Sequence, residues 1–266
     1  MRHQAHALIL TASVVSGLAI CPSQSWAQTL SPSPFAVTSP ALETTDFSPN
    51  LRNVFTDTLS DFRRLPSLDS AVILSMGGLA SLVGHPADKR VSNGFSSSRS
   101  MHGVFKAGET IGAATYQLGA AMATYSVGRA IGKPKVALIG ADLVRAQLVS
   151  QAMTQGVKLA VGRARPDGTS YSFPSGHSAS AFATAAVLQR HLGWKAGIPA
   201  YTVATYVAAS RIQVQRHYLS DVAFGAAIGM IAGRTVTIGR GEARFAVAPA
   251  AAAGGAGVNF TWVGRK

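Results

Sequence analysis

Tyr171-Ser172-Phe173-Pro174-Ser175-Gly176-His177-Ser178 is the stretch around which the rest of the chain is organised. Pro174 indicates a turn and Ser175 is a residue type that caps helices, so the stretch predicts a helix that begins at Gly176. The free N–H groups at the start of a helix bind anions, and a glycine there lets a phosphate approach the backbone. His177 would stand beside that anion and could protonate a leaving alkoxide. Taken by itself, however, the Pro-Ser-Gly sequence fits an ordinary turn that leads into a helix equally well.

Upstream of this stretch, residues 158–166 (Lys-Leu-Ala-Val-Gly-Arg-Ala-Arg-Pro) place two cations on one face of a predicted helix. Lys158 and Arg165 are seven residues apart, which is about two helical turns. Pro166 disfavours α conformation in the residue before it, so Arg165 is expected at the helix end. The pattern can deliver an ammonium and a guanidinium to one place. A solvated basic face would show the same pattern.

Downstream, the segment Ser210–Asp221 contains a third candidate group. His217 and Asp221 are spaced i, i+4, so on a helix the carboxylate could fix the imidazole tautomer and leave the other nitrogen free to attack phosphorus. Arg211 lies six residues before His217 and is expected at the end of the preceding helix. A purely structural His–Asp pair is the alternative interpretation.

Taken together, the three segments resemble the type 2 phosphatidic acid phosphatase superfamily, which also includes bacterial acid phosphatases and vanadium haloperoxidases. The family pattern is Lys, six residues, Arg-Pro; then Pro-Ser-Gly-His; then Ser-Arg, five residues, His, three residues, Asp. Residues 158–166, 174–177 and 210–221 match every fixed position in order. The resemblance covers about residues 68–240 and leaves out both ends of the chain.

The resemblance implies an all-α helical bundle that hydrolyses phosphomonoesters or lipid phosphates without a metal. It makes His217 the nucleophile that forms a phosphohistidine, Asp221 the residue that orients it, and His177 the acid for the leaving group and then the base for water. The residues expected to bind the phosphate are Lys158, Arg165, Ser175, Gly176 and Arg211. Arg163 and Arg216 receive only supporting roles, and His85, His102 and His191 match no motif.

Charge limits the partners of the chain. The net charge is +13, and residues 110–266 contain four acidic residues against sixteen Lys and Arg. This bias favours anionic partners, here a phosphorylated small molecule or a lipid phosphate. Nucleic acid is not expected, because no basic helix or aromatic platform stands out. The single cysteine, Cys21, excludes an intramolecular disulfide and a Cys-based metal site.

The N-terminal region predicts export. Residues 1–27 combine Arg2, an uncharged run from Ala7 to Ile20 and small residues before position 28, as in a secretory signal peptide. Residues 28–66 form a Ser/Pro-rich linker followed by a short amphipathic segment that begins at Leu51. The mature protein is therefore expected in the periplasm or elsewhere outside the cytoplasm.

Residues 67–240 predict about six helices, among them one that starts at Pro134 and runs towards Gly162 and one from Gly176 to about Leu192. The region begins with an uncharged run from Ser70 to Gly84, which is followed by a polar loop to about Arg99. Most uncharged runs are shorter than the ~20 residues of a bilayer span, so a compact bundle outside the cytoplasm is expected, with a membrane-embedded bundle as the alternative. Residues 241–266 alternate in a way that predicts a small β-hairpin. The sequence predicts no oligomeric state.

Two other functions fit the same residues. A haloperoxidase would hold vanadate as a prosthetic group in the anion site, whereas a phosphatase needs no cofactor and would bind vanadate only as an inhibitor. A catalytically inactive, basic module that binds anions or membranes is the second alternative. Neither the lipid nor the soluble character of the leaving group follows from the motifs.

Overall fold

The computed structural model of the chain describes residues 8–13, 50–96, 99–238, 243–252 and 255–264, with backbone only for residues 8–13, 99–101 and those after 238. The chain divides into two compact units. One is Ser48–Gly241, and the other combines Met1–Phe47 with Glu242–Lys266.

The first unit is all-α, as predicted, and its described residues form ten α-helices and one 3₁₀ turn, His85–Ala87. In chain order the α-helices are α1 Leu51–Arg64, α2 Leu68–Gly84, α3 Asp88–Ser96, α4 Arg99–Phe105, α5 Ala107–Gly112, α6 Ala114–Ala130, α7 Pro134–Val161, α8 Gly176–Leu192, α9 Trp194–Gln213 and α10 Leu219–Val236.

The prediction of about six helices is too low. The polar loop expected up to Arg99 instead contains the 3₁₀ turn and α3, and the segment before α6 is broken into α4 and α5. These helices are short and rich in polar residues, so they lack the long apolar periodicity from which a helix is recognised. The longer helices agree closely: α7 begins at Pro134, and α8 spans the predicted residues.

Helix α8 lies at the centre of the unit, where it packs against α7, α9 and α10. Small residues let α8 and α10 approach closely. A Cβ added at Gly229 would lie 2.2 Å from the Ala179 carbonyl oxygen, and one added at Gly225 would lie 2.4 Å from the Ser175 carbonyl oxygen. The Gly225 contact holds the start of α10 against the start of α8, and both predicted histidines lie near these two helix ends.

A buried ionic network joins α1 to α7 and α8. Arg145 donates to both carboxylate oxygens of Asp61, at 2.8 and 2.6 Å, and to Asp142 at 2.9 Å. His191, which matches no motif, lies 2.8 Å from the other Asp142 oxygen and so belongs to this network. The charged groups are all buried, and each therefore depends on its partners.

Two stretches of the described residues, Leu68–Ser96 and Leu219–Val236, are long and apolar enough to cross a membrane. They differ in burial: 67% of the second is buried, as in a core helix, but only 6% of the first. Apolar side chains of α2 are exposed along its length, among them Leu68, Val72, Met76, Leu79, Leu82 and Val83. Water would solvate this surface poorly.

The second unit is described only at its strands. Strands β2 (Ala243–Ala252) and β3 (Gly255–Gly264) pair antiparallel from Ala243↔Gly264 to Ala252↔Gly255, at the position of the predicted hairpin. Strand β1 (Leu8–Ser13) pairs with the other edge of β3. The rest of the predicted signal peptide, including Cys21, and the linker up to residue 49 lie outside the described residues.

Candidate active site

A cavity of about 370 Å³ brings the three sequence segments together. It lies where α7 ends and α8 begins, beside the last turn of α9. Its lining residues are Glu109, Ala114, Gln151, Gln155, Lys158, Arg165, Gly176, His177, Arg211, Arg216 and His217. Both predicted imidazoles and three of the predicted cations therefore face one space.

His217 is buried and lies just before α10, whose first residue is Leu219. Its Nδ1 is 2.7 Å from the Ser172 carbonyl oxygen, which can only accept, so Nδ1 carries the proton and Nε2 keeps its lone pair. Burial, the largest cause, lowers the pKa of His217. The ring is thus neutral and its Nε2 is nucleophilic.

The predicted helical His217–Asp221 pair is wrong in its geometry. His217 precedes the helix, and the Asp221 Oδ2 lies 3.8 Å from Nδ1, too far for a hydrogen bond. Asp221 instead accepts the Ser172 hydroxyl and, at 2.8 Å, the Tyr218 N–H. Asp221 is consequently linked to His217 through Ser172, because Ser172 donates its hydroxyl to the carboxylate and accepts from the imidazole on its carbonyl.

Ser175 caps α8 as predicted: its Oγ accepts the Ser178 N–H at 3.4 Å. The Ser175 N–H donates to the Asp221 carbonyl at 3.0 Å, so the two helix starts are tied together. Ser175 is buried behind the cavity rather than lining it, and its role is to shape the helix start. The first N–H groups of α8, at Gly176 and the residues after it, lie at a helix start of the kind that can bind an anion.

His177 lines the cavity on the first turn of α8. Burial, followed by the positive charge of Arg211 and then His217, lowers the pKa of His177 to about 3. A neutral imidazole cannot act as an acid. A bound phosphate dianion would offset the neighbouring positive charge and raise this pKa, which would favour protonation of His177.

Arg211 provides the clearest sign of an anion site. It lies buried in the last turn of α9, as predicted, and its Nε and Nη1 have no hydrogen-bond partner among the described residues. Among the described residues, its ion-pair partner is Glu109, whose Oε1 lies 4.0 Å from Nη2. Buried guanidinium N–H groups without acceptors are costly, and an anion in the cavity would satisfy them.

The other two cations take different positions. Lys158 is buried and donates to the Tyr171 carbonyl at 2.7 Å, and burial followed by the charge of Arg165 lowers its pKa to about 8. Helix α7 ends before Arg165, at Gly162 in the left-handed conformation. Arg165 therefore reaches the cavity from the following loop and not from the helix face shared with Lys158.

Three residues of the site were not found from the sequence. Glu109 brings a carboxylate to the cavity rim, Ser172 links Asp221 to His217, and Asp88 contacts Arg163 at 2.8 Å. Glu109 and Asp88 lie in the short polar helices, where no motif or spacing marks them. Ser172 lies within the central stretch, but its role depends on a backbone carbonyl, which leaves no trace in side-chain patterns.

The cavity as a whole can hold a tetrahedral oxyanion. Lys158, Arg165, Arg211 and the start of α8 offer donors and positive charge, and the two imidazoles face the same space. Preorganised donors of this kind stabilise the charge that builds on a reacting phosphoryl group.

Parts of the chain are similar to known proteins. The model of the PAP2 superfamily matches residues 139–244. The lipid A 1-phosphatase of Porphyromonas gingivalis is 44% identical over 85 residues, covering 30% of this chain and 19% of that protein. The lipid A 4'-phosphatase of Helicobacter pylori is 29% identical over 99 residues, covering 33% and 50% respectively. The chain thus spans about a fifth and a half of these two relatives.

Two solved structures are also similar. The transmembrane PAP2-type phosphatidylglycerolphosphate phosphatase from Bacillus subtilis gives a TM-score of 0.46 at 20% identity, over 70% of this chain and 93% of the other. Aquifex aeolicus LpxE gives 0.49 at 21% identity, over 57% and 94%. The family match from 139 to 244 contains all three sequence segments that contribute to the cavity.

Proposed function

We propose that the protein is a phosphatase that hydrolyses the phosphomonoester of a lipid through a phosphohistidine on His217. The observation that carries the proposal is the pair of buried Arg211 nitrogens that have no partner among the described residues, in a cavity that His217 also lines. Phosphate oxygens would accept from Arg211, Arg165 and Lys158. The phosphorus atom would then face Nε2.

In the first step, Nε2 of His217 forms a bond to phosphorus while the bond from phosphorus to the ester oxygen breaks. His177, protonated once the phosphate is bound, gives its proton to the departing alkoxide. The positive charge on the phosphorylated imidazole is stabilised by the Nδ1–H bond to the Ser172 carbonyl and by Asp221 behind it.

In the second step, the now neutral His177 takes a proton from water, and the hydroxide attacks phosphorus. The P–N bond breaks, inorganic phosphate leaves and His217 returns to its starting state. The proposed steps need no metal or organic cofactor, because imidazole supplies the nucleophile and cations supply the charge. Vanadate would bind as an inhibitor that resembles the transition state.

A lipid substrate is supported by two independent observations. The two curated relatives are named as phosphatases of lipid A, at opposite phosphorylated positions. The apolar side chains of α2 are exposed, and only 6% of its apolar window is buried, which suits contact with acyl chains rather than water. We therefore propose membrane association, and the predicted export signal would place the site outside the cytoplasm.

Fractionation followed by assay tests the proposal. Washed membranes and soluble extract are compared on lipid A and phosphatidic acid in detergent, and on nitrophenyl phosphate. Activity in membranes that favours the lipids supports the proposal. Soluble activity restricted to nitrophenyl phosphate would contradict the lipid assignment.

The same preparations decide between the other functions. Halide oxidation by peroxide after addition of vanadate, without phosphate release in its absence, would indicate a haloperoxidase. His217→Ala is the catalytic control: full activity in this variant would refute the proposed nucleophile, and no activity in the wild-type protein would favour an inactive binding module.

A further inference from the structure

We propose that Asp88 is a positioning residue for catalysis: through Arg163 it holds the carboxylate of Asp221, and thereby the ring of His217, in the reactive arrangement. This inference rests on the proposed function of the cavity and adds to it a residue from α3, outside all three sequence segments. Asp88 does not line the cavity, so it would act without contacting substrate.

Arg163 is the central link. Its Nη1 donates to the Asp221 Oδ1 at 2.7 Å and to the Ser220 hydroxyl at 2.7 Å, while its Nη2 donates to the Asp88 Oδ2 at 2.8 Å. The guanidinium carbon also lies 4.3 Å from the centre of the Tyr218 ring. The rigid guanidinium is thus held between two carboxylates and the ring of Tyr218, which directly follows the proposed nucleophile in sequence.

Asp88 is well placed to fix that guanidinium. Asp88 is 2% exposed, and its carboxylate makes four hydrogen bonds or close polar contacts. None of these contacts is with a residue that lines the cavity. The Oδ1 accepts the Ser220 N–H at 2.9 Å, the Oδ2 accepts the Ser220 hydroxyl at 2.6 Å and Arg163, and the His85 Nδ1 lies 3.1 Å away. Asp88 therefore satisfies a first-turn N–H of α10 as well as orienting Arg163.

From Arg163 the contacts lead to the nucleophile by two routes. The guanidinium holds Asp221, whose other oxygen accepts the Ser172 hydroxyl; and the Arg163 carbonyl accepts the Ser172 N–H at 2.7 Å. Ser172 in turn accepts the Nδ1 proton of His217 on its carbonyl. Both routes converge on Ser172, so a displaced Arg163 would shift the group that sets the His217 tautomer.

Two variants of Asp88 separate its two roles. Asp88→Asn keeps an oxygen for the Ser220 N–H and the shape of the side chain, but it faces Arg163 with an uncharged amide. Asp88→Ala removes the cap and the ion pair together. We expect the Asp88→Asn substitution by itself to lower kcat by about 10-fold to 100-fold, with KM changed less than about threefold. This is the range observed when residues that hydrogen-bond to metal-ligating side chains are replaced.

Asp69→Asn is the matched control. Asp69 forms an ion pair of comparable length with Arg234, 3.1 Å, but both side chains are largely exposed and lie outside the cavity lining. Breaking a surface pair should leave kcat within about twofold of the wild-type value. A double-mutant cycle adds a second check, because Asp88→Asn combined with Arg163→Gln should be no worse than Arg163→Gln alone.

Nitrogen-15 NMR of the full chain, labelled at histidine, provides a measurement that does not depend on activity. In the wild-type protein we expect the His217 signals of an imidazole protonated on Nδ1, and in Asp88→Asn a mixture of tautomers or a shifted titration. A purely structural Asp88 would lower the unfolding midpoint but leave these signals and the kcat of the folded protein unchanged, and that result would overturn the inference.

His217→Ala, measured in parallel, keeps the two proposals distinguishable. If His217→Ala is fully active, the proposed phosphohistidine route fails, and the NMR comparison still decides whether Asp88 positions the ring. If His217→Ala is inactive while Asp88→Asn has wild-type kcat and unchanged signals, the phosphatase mechanism stands and the role of Asp88 is refuted.

Discussion

Arg211 and the two imidazoles define the site at the scale of single residues. The guanidinium is buried without enough acceptors, His217 has one nitrogen committed to a carbonyl, and His177 is kept neutral by its surroundings. Without a bound anion, burial of the guanidinium costs free energy and the two imidazoles have no reacting group to act on. A phosphoryl group would satisfy all of them at once, which is why the cavity is best explained as a site for phosphate chemistry.

Arg211→Gln should lower kcat/KM by about 100-fold to 1000-fold, because it removes preorganised donors from the oxygens on which charge builds. Arg216→Gln is the control: Arg216 also lines the cavity, but it is largely exposed and bound to Asp167 at 3.1 Å. Its loss should cost no more than about fivefold. Equal losses in the two variants would show that overall positive charge, rather than the placement of Arg211, drives activity.

The pH dependence of stability tests the surroundings of His177. Its pKa is about 3 in the folded protein, against an ordinary value of 6.5, so the unfolded chain binds the proton more readily. The contribution of His177 is therefore complete above about pH 6.5 and declines as the pH falls towards 3. Thermal unfolding from pH 7.5 to 4 should show a shallower loss of stability in His177→Gln than in the wild-type protein. Parallel curves would contradict the assigned environment.

Close packing of helix starts shapes the site at the scale of secondary-structure elements. Gly225→Ala would place a methyl group 2.4 Å from the Ser175 carbonyl oxygen and push the start of α10 away from the start of α8. Since His217 and His177 lie at these two ends, activity should fall at least about tenfold, a loss typical of small misplacement of reacting groups. Gly156→Ala, in open space on α7, should preserve activity. Equal activity in both variants would contradict this view.

The buried network under α1 concerns stability rather than catalysis. Among the ion pairs of the described residues, Arg145→Gln would leave the buried Asp61 with only the longer contact to Arg64, at 3.7 Å. Breaking a buried ion pair in this way should cost about 3–5 kcal/mol, measured by chemical denaturation. Arg64→Gln, at the exposed edge of the same cluster, should cost less than about 1 kcal/mol. A small change in Arg145→Gln would show that α1 is not held by this network.

The elements show what could be predicted from the sequence. Helices α7 and α8 were found because Pro134, Ser175 and Gly176 are strong local signals of helix ends. The cavity residues were found because their spacing matches a family pattern. The role of Asp221 was only partly found: its pairing with His217 assumed a helix that begins two residues later, at Leu219. Asp88 and Ser172 act through contacts between distant segments, which no local pattern records.

The whole molecule combines a polar cavity with an exposed apolar surface. The cavity needs cations near a helix start, and α2 leaves its apolar side chains uncovered by the described residues. A soluble protein would rarely keep such a surface, whereas a protein that takes its substrate from a bilayer needs one. This is why a membrane-associated phosphatase is proposed in place of the compact bundle outside the cytoplasm that the short uncharged runs predict.

Trapping of the covalent intermediate tests the central claim most directly. The wild-type protein is mixed with a phosphomonoester labelled in its phosphoryl group, quenched in base within milliseconds and digested, because phosphohistidine survives base but not acid. We expect the label on the peptide that contains His217, with none in His217→Ala. Label on another residue, or rapid hydrolysis by the wild-type protein with no labelled peptide at any time, would contradict the account.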